Sequence, residues 1–264
     1  MAGQTTAERG ERQQESSGPP PARRLRRPRL RTIVILAVVA VLLGAGGVWV
    51  LYGSSWVRVR HVSVSGTRVL TPAEVRAAAA VPVGAPMMSV DTDRIEARLR
   101  RKLPRIDTAR VVRAWPHGIG LKVTERSPVL LVRKGRDFIE VDHEGVRFAT
   151  VSQAPDGIPL LEMSVSRTGT GAASFRRFGT DRLVREAVRV AGDLPAAVAR
   201  ETRTVQVRSY DDISLELAGG RTVAWGSSEN GRAKARTLAA LMKAAPRAGH
   251  LDVSVPTAPA SSGS

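Results

Sequence analysis

The chain contains no cysteine. Neither a disulfide framework nor a thiolate metal site can form, so the fold must be held by its core alone. Aromatic residues make up only 4% of the 264 residues. Beyond Trp56 there remain Trp115, Trp225, Tyr210 and four Phe, spread singly along the chain. Nucleic-acid binding needs basic residues gathered with stacking aromatics, and this supply is too thin and too scattered for it. No nucleic-acid partner is expected.

Long apolar runs are also absent, with one exception. Ile33 to Leu51 reads IVILAVVAVLLGAGGVWVL, nineteen residues without a charge. At a rise of about 1.5 Å per residue this nearly matches a hydrocarbon core about 30 Å thick. The net charge of +17 is unevenly placed: up to Thr32 there are eight Arg and three Glu, and Arg23, Arg24, Arg26, Arg27, Arg29 and Arg31 form a cluster with no acid inside it. Such a cluster beside a span holds that end in the cytoplasm, while Trp49, Tyr52 and Trp56 at the far edge suit the headgroup layer. The expectation is a single-pass type II topology in the plasma membrane, N-terminus cytoplasmic and C-terminal part extracytoplasmic. A cleavable signal peptide is the competing reading, but its apolar core is typically about 7–15 residues, and Gly53-Ser54-Ser55 is a weak cleavage site.

Residues 1–22 have almost no large apolar side chains and end in Pro19-Pro20-Pro21. They cannot bury enough surface to offset the entropy of ordering. Residues 1–32 are therefore expected to be a disordered basic cytoplasmic arm, followed by a transmembrane helix over 33–52.

Past the span the hydropathy period changes to two. Val57 to Ser65 alternates apolar and polar, as a half-buried strand does, until Gly66. Thr71-Pro72-Ala73-Glu74 is a capping box with proline at the first helical position, and that helix ends near Val81–Gly84. A second helix starts at Asp91, carries Ile95, Leu99 and Leu103 on one stripe, and stops at Pro104. Strands Ile106–Trp115 and Ile119–Glu125 follow, joined by Pro116-His117-Gly118. The order over residues 57–126 is β-α-α-β-β.

Over residues 127–256 short strands predominate: Val129–Val132, Phe138–Val141, Val146–Phe148, Thr204–Arg208, Ile213–Leu217, Val223–Trp225 and a final Leu251–Val255. Leu183, Val184, Ala187, Val188, Ala191 and Leu194 repeat at helical spacing, and a last helix is expected from Glu229 to Ala245. The Gly/Ser/Thr-rich stretch Ser166–Ser174 reads as a flexible loop, and residues 257–264 as a disordered tail. The fold class is α+β: a membrane helix, a small β-α-α-β-β domain, and a mostly antiparallel sheet with two helices on one face.

Chemistry finds little foothold. His61, His117, His143 and His250 fall in one strand and three turn-like segments, without the i, i+4 pairing that two ligands on one helix face require. Asp142-His143-Glu144 groups acid and base, yet it fills a predicted hairpin apex where Asp and the following Gly145 serve the turn. No G-x-S-x-G or S-x-x-K nucleophile context appears, and Gly169-Thr170-Gly171 follows no strand-to-helix junction suited to a phosphate loop. No catalytic residue, metal or cofactor is expected. The basic run Arg98–Lys102 reads as a solvated helix face, with anionic lipid or wall polymer as the alternative contact.

Taken in order, the basic arm and span, VRVRHVSVSG with TPAEVRAAA, AWPHGIGLKVTERSPV, FIEVDHEGVRF and the terminal LDVSVP resemble the FtsQ/DivIB family of cell-division proteins over roughly Arg23 to Pro256. The segment WP-x-G-I-x-L-K-V-x-E-R-x-P is the most specific. The resemblance implies a POTRA domain at 57–126 and an FtsQ-type β domain at 127–256. It also implies a non-enzymatic scaffold at the division septum that binds FtsL-like and FtsB/DivIC-like proteins. The family's C-terminal strand makes the FtsB/DivIC contact, which maps here onto Leu251, Asp252, Val253, Ser254, Val255, Pro256 and Thr257. Ser254 and Val255 are small where proteobacterial members carry Arg and Tyr, so the resemblance transfers backbone pairing more readily than side-chain anchors.

Overall fold

The computed structural model describes residues 30–53, 57–164 and 169–263. The chain divides into two compact units, Met1–Val50 and Leu51–Ser264.

Helix α1 covers Leu30–Gly53, all but its last three residues in the first unit. It is the one helix among the described residues long and apolar enough to cross a membrane, and its side chains are exposed from Leu30 to Trp49. An apolar surface exposed all round is the surface lipid would cover. Arg31 lies in its first turn and Trp49 near its end. The remaining cluster residues, Arg23 to Arg29, fall outside the described residues, as do Trp56 and the side chain of Tyr52.

The second unit opens with β1 (His61–Ser65), α2 (Pro72–Ala79), α3 (Thr92–Lys102), β2 (Ile106–Ala114) and β3 (Gly118–Glu125). The sheet order is β1-β3-β2, with β1 parallel and β2 antiparallel to the central strand. Only the second half of the expected first strand joins this sheet. Val59 instead pairs with the loop after α2, donating to the Ala85 carbonyl (3.0 Å) and accepting from Gly84 N–H (2.8 Å).

Helix α2 starts where the capping box places it. Glu74 N–H donates to Thr71 Oγ1 (3.2 Å) and Thr71 N–H to Glu74 Oε2 (2.8 Å), with Pro72 first in the helix. Thr71→Ala is expected to lower the melting temperature by about 2–4 °C, the usual consequence of losing an N-cap in a domain of this size. An unchanged melting temperature would show that the box contributes nothing. Both helices pack Val75, Ala79, Ile95 and Leu99 against Ile119, Leu121 and Val123 of the sheet.

The basic run of α3 is not uniformly solvated. Arg100, Arg101 and Lys102 are exposed, but Arg98 reaches back to cap the end of α2, donating to the carbonyls of Ala79 (2.7 Å) and Ala80 (3.2 Å). The last four carbonyls of a helix lack partners within it, and an arginine one helix away supplies them here.

Nine further strands build one sheet in the order β12-β11-β10-β9-β8-β7-β4-β5-β6. They are β4 (Leu130–Lys134), β5 (Asp137–Val141), β6 (Arg147–Val151), β7 (Leu160–Met163), β8 (Thr202–Val207), β9 (Ile213–Leu217), β10 (Thr222–Gly226), β11 (His250–Asp252) and β12 (Ala260–Ser262). Neighbours are mostly antiparallel, the exceptions being β4/β7, β7/β8 and β10/β11. Three helices accompany the sheet rather than two: α4 (Gly169–Asp193), α5 (Ala196–Glu201) and α6 (Gly231–Ala244). Their core joins Leu183, Val184, Ala187 and Leu238 to Val205, Leu215, Trp225 and Leu251.

Two expectations are corrected. From Gly169 the Gly/Ser/Thr-rich stretch is helical rather than a loop, and α4 bends at Gly179, whose φ of 72° is outside the helical range. The tail is not wholly disordered either: after a turn closed by Ala258 N–H on the Val255 carbonyl (3.0 Å), Ala260–Ser262 pairs antiparallel with β11.

The small domain and the large sheet meet through arginines. Arg126 reaches the carboxylate of Asp142, which has no solvent exposure, and also Glu144 (3.1 Å) and Asp107 (3.4 Å). Asp142 Oδ1 accepts the N–H groups of Glu144 (2.9 Å) and Val146 (2.8 Å), so Asp142-His143-Glu144 is a turn whose first residue also anchors the seam. Arg105 pairs with Glu140 (2.5 Å) and lies over the Phe148 ring (5.2 Å). Next to Arg126, Glu125 accepts N–H groups of Arg68 (2.7 Å), Val69 (3.1 Å) and Leu70 (3.0 Å), fixing the loop that enters α2. Burial alone would raise the Glu125 carboxyl, but these N–H groups and the charge of Arg105 hold it below the usual carboxylate value.

Candidate partner-binding edge

The expected partner-binding residues do not form a free edge strand. Leu251 and Val253 are fully buried in the core, and β11 is hydrogen-bonded on both sides, to β10 and to β12. The physical reason is the hairpin after it, which returns the chain along the outer edge of β11. The edge that remains open is β12, all three of whose residues are exposed.

The ladder determines which groups face outward. Thr222 N–H donates to the Gly249 carbonyl and Val253 N–H to the Ala224 carbonyl, both at 2.9 Å. Leu251 therefore turns its backbone groups toward β10, and His250 and Asp252 turn theirs toward β12. Their register partners are Ser262 and Ala260. Alternation along a strand then leaves the N–H and C=O of Ser261 on the open side.

The other expected contact residues support this edge from beneath or crown it. Asp252 is bound by the hydroxyl and backbone N–H of Ser254 (2.8 Å), which hold its carboxyl below the usual range, with His250 and Lys234 adding to the effect. The Pro256 carbonyl accepts from Thr237 Oγ1 of α6 (3.1 Å). Val255, 54% exposed, and Thr257 stand out on the turn. A shallow, mostly apolar cleft beside β12 is lined by Ala245, Pro246, Ala248 and Ser261.

One buried residue of α6 is not among those the sequence reading singles out. Lys234 of α6 is buried, donating to the carbonyls of Trp225 (3.0 Å) and Ser227 (2.9 Å) and so tying α6 to the end of β10. Burial pushes its ammonium below the usual lysine range, against the pull of Glu229, Asp211 and Asp252. Lys234 stands one turn before Leu238 and two turns before Leu241, on the buried stripe of α6, so a lysine at a core position is the signal its spacing carries.

The four histidines remain dispersed, and among the described residues no group of three or more His, Asp or Glu is placed to hold a metal ion.

The chain is similar to known proteins over its full length. The family model "POTRA domain, FtsQ-type" matches residues 57–126. "Cell division protein FtsQ" of Streptomyces collinus is 76% identical over 264 residues, covering 100% of both chains. The protein of the same name from Streptomyces coelicolor is 72% identical over the same full length. A solved structure of the major extracytoplasmic domain of DivIB from Geobacillus stearothermophilus is similar at 18% identity and a TM-score of 0.33, covering 47% of this chain and 97% of that one. With an apolar N-terminal helix fit to span the membrane once, a POTRA domain and full-length likeness to the two Streptomyces proteins, the chain belongs to the FtsQ family of cell-division proteins.

Proposed function

We propose that the chain is a non-catalytic scaffold of the septum-forming complex, anchored with its N-terminus in the cytoplasm, that captures an FtsB/DivIC-like partner by strand addition to β12. FtsL-like protein is held in the same assembly. The observation that carries this reading is the open edge itself: β12 ends a nine-stranded sheet, is exposed throughout and pairs on one side only. A row of unpaired backbone groups is a template for a partner strand, and main-chain hydrogen bonds make few demands on side chains. That tolerance fits a site built of Ala260, Ser261 and Ser262. The other end of the sheet is less inviting, because β6 carries Arg147 paired with Asp181 (3.0 Å) and Phe148 beneath Arg105.

The orientation rests on the Arg cluster from Arg23 to Arg31 at the near end of the span. Neutralising these six arginines is expected to scramble insertion, whereas deleting residues 2–20 leaves it intact; protease added to spheroplasts reads the difference. A fluorescent fusion to the N-terminal arm, imaged in growing cells, tests the role. Enrichment at division sites is expected, and diffuse membrane fluorescence would overturn the reading.

A further inference from the structure

The small domain carries more positive charge than its architecture uses. Residues 57–126 hold fourteen Lys and Arg against six Asp and Glu. All six acids have tasks within the fold. Glu74 closes the capping box, Asp91 caps α3 through Arg94 N–H (2.9 Å), and Asp93 stands in the first turn of that helix. Glu96 accepts the edge N–H of Val111 (2.8 Å), Asp107 pairs with Arg126, and Glu125 holds the loop before α2. Several exposed cations, Arg60, Arg110 and Lys122 among them, have no such partner. Arg110 and Lys122 stand directly opposite each other on β2 and β3, both exposed, with Ser65 as the third member of the row. Like charges at facing positions of a sheet destabilise it. Elsewhere this open face is polar at His61, Ser63, Thr108 and Thr124 and apolar at Val112 and Ala114, without a carboxylate.

A second, independent feature lies at the end of the domain where the chain enters. Four peptide steps separate Gly53, the last residue of α1, from Val57, a reach of at most about 14 Å. The incoming segment is stitched to two loops. Arg60 N–H donates to the His117 carbonyl of the β2–β3 hairpin (2.8 Å), and Val59 pairs with Gly84 and Ala85. Arg113, next to that hairpin, donates to the carbonyls of Met87 (3.2 Å) and Val90 (2.7 Å). These loops carry exposed apolar side chains: Trp115 at 51%, Val83 at 66% and Met88 at 38%. Beyond Val57 only Val69, Val146 and Val255 are comparably large and exposed among the described residues. Three of these six side chains thus lie at the end where the chain enters, beside an exposed arginine, Arg60, and the Arg110/Lys122 pair stands four residues further along the open face, about 13 Å away.

We propose that this end of the POTRA domain and the open sheet face that runs from it dock together on the bilayer surface, with Trp115, Val83 and Met88 entering the headgroup layer while Arg60, Arg110 and Lys122 bind the phosphates of anionic phospholipids. An indole is suited to the water–lipid boundary, and each cation near an anionic surface adds attraction that salt weakens. The tether of a few residues keeps the domain at high effective concentration over that surface, so individually weak contacts suffice. Docking would fix the height and tilt at which the β12 edge is presented.

The test uses the full chain reconstituted in vesicles of phosphatidylcholine, with or without phosphatidylglycerol, containing lipids brominated near the headgroup. The Trp115 contribution is the difference between parent and Trp115→Phe quenching, which removes the background of the other tryptophans. In anionic vesicles this contribution is expected to be strongly quenched, and the amides of residues 83–88 and 115–118 to exchange several-fold more slowly than in neutral ones. The triple variant Arg60→Glu, Arg110→Glu, Lys122→Glu should lose both effects while keeping its melting temperature. No Trp115 quenching in anionic vesicles overturns the proposal. Equal quenching in neutral vesicles overturns the charge recognition. If soluble poly(glycerol phosphate) protects the same amides in neutral vesicles and abolishes quenching in anionic ones, the cations read a wall polymer instead, and lipid is not the partner.

Discussion

Arg126→Ala is expected to destabilise the two-domain unit by about 3 kcal/mol or more, seen as a melting temperature lower by roughly 6–12 °C. The size follows from what the substitution leaves behind. Asp142 has no solvent exposure and shares its second carboxylate oxygen with the Arg126 guanidinium, while its first oxygen holds the turn through two N–H groups. Removing the arginine strands a charge that cannot reach water. By contrast the Glu144 side chain, also paired with Arg126, is 57% exposed. Glu144→Gln should therefore shift the melting temperature little, because solvent already screens that pair.

A double substitution separates a buried-charge effect from simple loss of packing. If Arg126→Ala harms the fold by orphaning Asp142, then adding Asp142→Asn should recover part of the loss, since the amide keeps an acceptor for the turn and removes the charge. Additive losses in the pair would show that packing of the guanidinium, not the buried charge, dominates.

The seam also shows how far the sequence could be read. The segment AWPHGIGLKVTERSPV was its most specific feature, yet its pattern gave no reason for Glu125 and Arg126. That reason is long-range: one carboxylate gathers three N–H groups near Arg68, and one guanidinium reaches a turn sixteen residues on. Local chemistry was legible where it acts locally. Thr71 and Glu74 read as a capping box because both partners lie within one helical turn, and Asp142 to Gly145 read as a turn for the same reason.

What was missed has matching causes. Strand β7, Leu160–Met163, lies between two parallel neighbours but is only four residues long, with Leu161 alone buried, so it is too short to show an alternation. The helix from Gly169 was hidden by Gly and Thr, residues of poor helix propensity, at its start. Strand β12 is Ala-Ser-Ser, with no β-branched or aromatic side chain. It exists because the turn at Val255–Ala258 delivers it to the edge of β11, a tertiary effect that composition does not record. Missing it moved the open edge by one strand, from Leu251–Val255 to Ala260–Ser262.

That displacement fixes the variants that test partner capture. Ser254 is a poor place to probe edge pairing, because its N–H is already bound to Asp252 (2.8 Å) and lies behind the hairpin. Ser261→Pro is the informative change: it removes the one donor of β12 that faces the open side while sparing the N–H groups of Ser262 and of Ala260 that face β11. Loss of a main-chain hydrogen bond, together with the bulk of the ring against an incoming strand, is expected to weaken binding of the FtsB/DivIC-like partner at least about tenfold, or some 1.4 kcal/mol. Ser261→Ala, which keeps the backbone donor, should be nearly silent. Deleting residues 259–264 should abolish capture yet leave the melting temperature close to that of the parent, since β12 buries none of its side chains. Binding would be measured with both proteins in detergent or nanodiscs, alongside hydrogen exchange to confirm that β11 stays protected in Ser261→Pro. If the deletion variant still binds as tightly as the parent, the partner does not add to this edge. If Ser261→Ala alone abolishes binding, recognition runs through the serine hydroxyl rather than the backbone, and strand addition is the wrong mechanism.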